Sequence, residues 1–170
     1  TQGPPAGNSL SKNIDSYQEA FDLLFKSVVH TTSLVIPNMQ KNKWGRIINV
    51  TSVSVKEPLN YLVLSNSIRS AVVAWAKSLS VDIGKDGITI NSILTGYFDT
   101  ERIKELNKEK SKSLNISEDE VLEKMKSLVP VHRLGKIDEY GYLVSFLSSD
   151  KAAYINGASI PIDGGLLKSY

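Results

Sequence analysis

Apolar positions along the chain follow two rhythms. Short continuous runs alternate with longer stretches in which apolar residues recur at helical spacing. Residues 46–50, Arg-Ile-Ile-Asn-Val, form a run too apolar for an exposed strand, which predicts a parallel strand covered on both faces. Residues 88–94, Ile-Thr-Ile-Asn-Ser-Ile-Leu, follow the turn Lys85-Asp86-Gly87 and predict a second strand. Residues 158–162 predict a third, and Pro161 places it at a sheet edge because it cannot donate to a neighbour. Ala20, Phe21, Leu24, Val28, Val35 and Ile36 fit one helix face. Ser16 and Glu19 are spaced as a capping box that opens this helix, and Pro37 with the polar run 40–43 ends it. A longer helix over 60–84 places Leu64, Ile68, Ala71, Val72, Trp75 and Leu79 on one face. Ser117 and Glu120 form a second capping box, followed by Val121, Leu122, Met125 and Leu128. The last predicted helix, 137–149, turns Tyr140, Leu143, Val144 and Leu147 inward. Strands alternating with helices indicate an α/β fold around a parallel sheet.

Composition narrows the class further. With 170 residues, 41% hydrophobic and 22% charged, the chain suits one soluble domain with a sizeable core. Lys and Arg (20) barely exceed Asp and Glu (18), and no basic stripe is interleaved with aromatics, so no nucleic-acid partner is expected. There is no cysteine, and His30 and His132 lack ligand spacing, so no metal site is expected. No run of about 18 apolar residues exists, so no membrane span is expected. No signal peptide is visible, which makes the cytoplasm the default location.

The stretch 49–71 carries the candidate chemistry. In an open α/β sheet, ligands bind at the crevice beyond the carboxyl ends of strands. Ser52 follows the first predicted strand, Ser65 lies thirteen positions on, and Arg69 four further, one helical turn away. This spacing resembles the short-chain dehydrogenase/reductase family, whose members carry Ser, Tyr and Lys at these intervals. Ser52 fills the Ser slot; Ser65 stands in the Tyr slot and Arg69 in the Lys slot. Tyr61 lies one turn before Ser65, and that offset of about 5.4 Å is expected to carry it past the site.

The flanking segments resemble the same family in the same order, over 1–170. The loop 1–7, TQGPPAG, matches the family's Asn-Ala-Gly motif at Gly3, while Thr1 and Gln2 depart from it. Leu24 occupies the position of the family's catalytic Asn, and an apolar side chain there reads as core. Residues 95–100, TGYFDT, resemble the loop that meets the nicotinamide carboxamide. Gly96 and Thr100 match it, while Thr95 and Phe98 replace Pro and Ile. Gly96 lets backbone approach a flat ring without a Cβ. Residues 129–135, 154–157 and 163–165 resemble the family's closing motifs. The charged stretch 101–130, with Glu101–Lys104 and Glu105–Lys108 at helical spacing, reads as a helical lid-like insert within one partial domain.

The resemblance implies the C-terminal portion of a doubly wound parallel, Rossmann-like sheet with flanking helices. It also implies an NAD- or NADP-dependent oxidoreductase acting on a small carbonyl or alcohol substrate, assembled as a homodimer or homotetramer. Ser52, Ser65 and Arg69 are the implied catalytic residues. Gly3, Arg69, Thr95, Gly96, Phe98 and Thr100 are the implied cofactor contacts. Proton delivery is expected to be weakened, because Ser65 is an alkyl hydroxyl and Arg69 stays charged. The alternative is a non-catalytic relative that binds a cofactor or ligand. No glycine-rich phosphate-binding turn occurs, and three predicted strands stand against the family's seven. A glycine-rich half is therefore expected to precede Thr1; the alternative is a short protein that completes its sheet through another copy.

Overall fold

A computed structural model of the chain describes residues 3–169. Thr1 and Gln2, which depart from the Asn-Ala-Gly motif, lie outside the described residues. The elements, in order, are α1 (Ile14–Phe21), a five-residue π segment (Asp22–Lys26), α2 (Ser27–Asn42), β1 (Gly45–Val50) and α3 (Val63–Ile83). Then follow β2 (Ile88–Thr95), α4 (Glu101–Leu114), α5 (Glu118–Leu128), α6 (Ile137–Leu147) and β3 (Ser159–Ile162).

The three strands form one parallel sheet in the order β1-β2-β3. β2 is central and buried along nearly its whole length, its Ile88, Ile90, Ile93 and Leu94 interspersed with the buried polar residues Thr89, Asn91 and Ser92. Its two faces feed two cores. Ile88 and Ile90 pack with Ala76 and Ile83 of α3 and with Ile36 and Met39 of α2. Ile93, on the opposite face, packs with Leu147, Leu143 and Val144 of α6. Register follows the same alternation: Ile47 sits beside Ile90, and Ile48 beside Asn91. β3, carrying Pro161, lies at one edge as its proline requires. β1 forms the other edge and is covered less than its apolar run predicts, with Val50 57% exposed.

Two predicted boundaries move. α1 is capped by Asn13 and not by Ser16, because Asn13 Oδ1 accepts both the Ser16 amide at 3.0 Å and its hydroxyl at 2.8 Å. α2 runs through Pro37 to a left-handed cap at Lys43. Proline removes one backbone donor there, which by itself disfavours a helix interior by about 3 kcal/mol. Ile36 and Met39, on either side of it, are partly buried against the core that includes Ile88 and Ile90 of β2, and that packing offsets the loss. The Ser117–Glu120 capping box forms as its spacing requires. The ion pair Glu101–Lys104 forms at 2.7 Å, but Glu105 pairs with Arg102 at 3.5 Å in place of Lys108. Among the described residues no helix is long and apolar enough to cross a membrane.

Candidate functional site

The carboxyl ends of β1 and β2 lie side by side, and a cavity of about 520 Å³ opens there. Ser52, Ser65, Arg69, Gly3, Thr95, Gly96, Phe98 and Thr100 all line it. Sequence positions far apart thus converge on one hollow at the place the α/β crevice rule assigns to ligands.

The end of β1 sets the first wall. Thr51 donates its amide and its hydroxyl to the Ile93 carbonyl, both at 2.9 Å, which fastens this end of β1 to β2. Ser52 follows in extended geometry and caps the short turn Val53–Val55, its Oγ accepting the Ser54 amide at 3.1 Å. The Ser52 hydroxyl hydrogen has no acceptor among the described residues. Ser65 and Arg69 sit one turn apart on α3. Arg69 Nε donates to Ser65 Oγ at 3.1 Å, and Nη1 donates to the Val50 carbonyl at 2.7 Å. Burial pulls the Arg69 guanidinium below its usual range, partly offset by Tyr140. It remains a cation all the same. Its Nη2 has no partner among the described residues.

The end of β2 sets the opposite wall. Thr95 Oγ1 lies 3.1 Å from the Tyr140 hydroxyl. Phe98 is buried and meets the Tyr140 ring edge-on, with centroids 5.3 Å apart. The Thr100 hydroxyl oxygen accepts the Ile103 amide at 3.4 Å and so caps α4. Gly96 is glycine for a packing reason: a Cβ there would stand 2.6 Å from Asp163 Cα and 2.7 Å from its Cβ. Gly3 faces the Arg102 guanidinium, 3.5 Å from the place of a Cβ. The amides of Tyr97 and Phe98 donate to no described group. Two spare amide donors and a spare guanidinium nitrogen suit the carboxamide and ribose oxygens of a nicotinamide nucleotide.

Several lining residues were not read from the sequence. Tyr61 and Tyr97 both line the cavity, and each shifts the ionisation of the other. Tyr97 is pushed up to about 12, chiefly by burial and then by Tyr61. Burial likewise raises Tyr61, while Tyr97 partly offsets it. Tyr61 reaches the cavity because it is not on the helix. Gly7 accepts from Val63 and donates to the Tyr61 carbonyl at 2.7 Å, so 61–62 stay outside the helix and α3 starts at Val63. The helical offset that set Tyr61 aside does not apply. For Tyr97 the signal was available, since it sits between Gly96 and Phe98 in the assigned loop. Leu24 is 5% exposed within the π segment and does not line the cavity.

The family model described as enoyl-(acyl carrier protein) reductase matches residues 3–167. The chain belongs to this family of short-chain dehydrogenases/reductases. NADPH-dependent reductase BacG of Bacillus subtilis (strain 168) is 32% identical over 131 residues, covering 77% of this chain and 51% of the relative. The 3-oxoacyl-[acyl-carrier-protein] reductase FabG of Pseudomonas aeruginosa is 28% identical over 159 residues, 91% of this chain and 58% of the relative. The crystal structure of YwfH, an NADPH-dependent reductase involved in bacilysin biosynthesis, is similar with a TM-score of 0.94. It is 26% identical and is covered over 100% of this chain and 65% of that one. The chain spans about half the length of the curated relatives it matches.

Proposed function

We propose that the protein is an NAD(P)-dependent oxidoreductase acting on a small carbonyl or alcohol substrate, with proton delivery altered from the family pattern. The observation that carries this reading is that Ser52, Ser65 and Arg69 line one cavity, with Arg69 bonded to Ser65. The names of the relatives, two of them NADPH-dependent reductases, support the same class.

A bound nicotinamide dinucleotide supplies the hydride. The residues of this chain do the rest. The Ser52 and Ser65 hydroxyls donate to the carbonyl oxygen and stabilise the charge that grows on it. Arg69 Nη2 carries two hydrogens, of which one would reach the ribose hydroxyls and the other is left to the substrate, while the Tyr97 and Phe98 amides would take the carboxamide oxygen. Gly3, Thr95, Gly96 and Thr100 frame that side of the pocket. α4 and α5, within 101–130, serve as the lid that excludes water over the substrate. The exposed faces of the long helices pair two or four copies.

The proton is the weak point. A phenol starts near pKa 10 and can be brought towards neutrality by a neighbouring cation. An alkyl hydroxyl such as Ser65 starts several units higher. Loss of a matched general acid removes about 10²- to 10⁴-fold in rate. Turnover of ordinary ketones is therefore slow. The test is the double variant Ser65→Tyr, Arg69→Lys, assayed beside the unaltered protein with NADPH and acetoacetyl thioester, with nicotinamide fluorescence measuring dinucleotide binding. The expected outcome is dinucleotide binding in both and a rate gain of about 10²-fold or more in the variant. Fast turnover by the unaltered protein would overturn altered proton delivery. Binding without turnover in either would make the protein a non-catalytic relative.

A further inference from the structure

The cavity wall is largely aliphatic, with Leu59, Leu62, Leu106, Leu114 and Met125 along it. Its charged lining is lopsided: Arg69, Arg102 and Lys110 face the carboxylate of Glu109 alone. Arg102 is already paired with Glu105 at 3.5 Å and donates to the Pro4 carbonyl at 3.3 Å. Among the described residues, neither Arg69 nor Lys110 has a carboxylate partner. Lys110 Nζ lies over the Tyr61 ring, 5.6 Å from its centroid. Arg69 spends Nε and Nη1 on neutral oxygens and keeps Nη2. A half-buried guanidinium in that position gains most from an anion, because charge-assisted bonds are about twice as strong as neutral ones.

An independent observation comes from α4. Asn107 is 6% exposed and lines the same cavity, and its Oδ1 is buried with no partner. A buried acceptor without a donor is costly and rare. A hydroxyl on a bound molecule, or a water held by it, would supply that donor.

We propose that the cavity takes a small organic acid: a carboxylate paired with Arg69, an aliphatic body against the leucines of α4 and Met125, and a hydroxyl-type donor for Asn107. Lys110 adds attraction from the rim. The inference rests on reading this cavity as the substrate site, and it narrows the substrate from any carbonyl or alcohol to an oxo or hydroxy acid. It does not require the dinucleotide, so the two readings can fail separately.

The test is calorimetric titration of the protein, without dinucleotide, with hexanoate and with its neutral counterpart hexanamide. Hexanoate is expected to bind at least about tenfold more tightly. Arg69→Gln should weaken hexanoate by about fivefold or more and hexanamide by clearly less, since only the acid loses a charge-assisted bond. Lys110→Gln, at an exposed position that the fold does not depend on, should weaken hexanoate by about two- to threefold. Added salt should weaken hexanoate only. Equal affinity for acid and amide, or hexanoate binding that ignores both substitutions and salt, would overturn the proposal, as would no binding of either. If Arg69→Gln does not fold, Lys110→Gln and the salt series decide. Nicotinamide fluorescence on the same samples reports dinucleotide binding independently.

Discussion

Arg69 Nε donates to Ser65 Oγ at 3.1 Å, a bond between the two residues that replace the phenol and the ammonium of the family frame. One helical turn separates them, so α3 itself fixes the distance. The bond does two things. It holds the guanidinium against β1, where Nη1 meets the Val50 carbonyl. It also occupies a lone pair of Ser65 and leaves its hydroxyl hydrogen free to point at a ligand.

The coupling between the two side chains is measurable. Ser65→Ala leaves a half-buried guanidinium hydrogen without its acceptor and is expected to cost about 1 kcal/mol. In a double-mutant cycle with Arg69→Met, followed by urea unfolding, the two changes should interact by about 0.5–1 kcal/mol. Strict additivity would mean that the hydroxyl and the guanidinium do not hold each other.

Much of the architecture is legible in the residues because local and global preferences agree. β2 carries Ile88, Ile90 and Leu94 on one face and Ile93 on the other, and only a strand covered on both sides needs apolar residues on both. The Ser117–Glu120 box opens α5 because both partners sit inside the helix they cap. The 52–65–69 frame converges because a strand end and a helix start are rigid elements with known pitch. Legibility fails where tertiary contact overrules a local signal. Pro37 reads as a stop, yet Ile36 and Met39 bury enough surface to carry α2 past it. Ser16 and Glu19 have the spacing of a box, yet Asn13 caps the helix one turn earlier by accepting the Ser16 amide. Tyr61 looks one turn off the site only if the helix includes it, and the bridge between Gly7 and Leu62, a long-range contact that no local pattern carries, keeps it out. Gly96 suggests a close approach, and the approaching group in this chain is Asp163, 67 residues away.

Glu139 gives a pH dependence with a definite sign. Hydrogen bonds from Arg133, first, and from the Lys136 amide hold its carboxyl down, from the ordinary 4.5 to about 2. The Arg133 contacts are 2.6 and 2.8 Å, and the amide contact is 2.8 Å. A depressed carboxyl stabilises the fold above its unfolded pKa, and that contribution fades as pH falls through the folded one. Urea midpoints of the unaltered protein and Glu139→Gln should therefore differ most above about pH 5 and converge as pH falls towards about 2. A constant difference across that window would assign the effect to packing.

Two glycines should respond to alanine with opposite signs. Gly96→Ala drives a methyl into the Asp163 backbone at 2.6 Å and within 3.2 Å of the Ile162 carbonyl. Neither can rotate away, so destabilisation by about 1–3 kcal/mol is expected. Gly141 lies inside α6, and a Cβ there meets nothing within 4 Å. Gly141→Ala should stabilise by about 0.5–1 kcal/mol through helix propensity. Thermal midpoints of the two variants moving in the same direction would contradict these placements.

Tyr61 and Tyr97 offer a check on the inner wall of the cavity. Each phenol is held protonated chiefly by burial, and the effects of each on the other run in opposite directions: Tyr97 lowers Tyr61, and Tyr61 raises Tyr97. Tyr61→Phe removes the neighbour that raises Tyr97, which should then ionise at a lower pH than about 12, while burial keeps it above the ordinary 10. Tyr97→Phe removes the neighbour that lowers Tyr61, which should then ionise at a higher pH than before. Ultraviolet titration near the tyrosinate band, or NMR of ring-labelled tyrosine, follows both phenols. If neither substitution moves the other residue's titration, the two phenols are not coupled across this wall of the cavity.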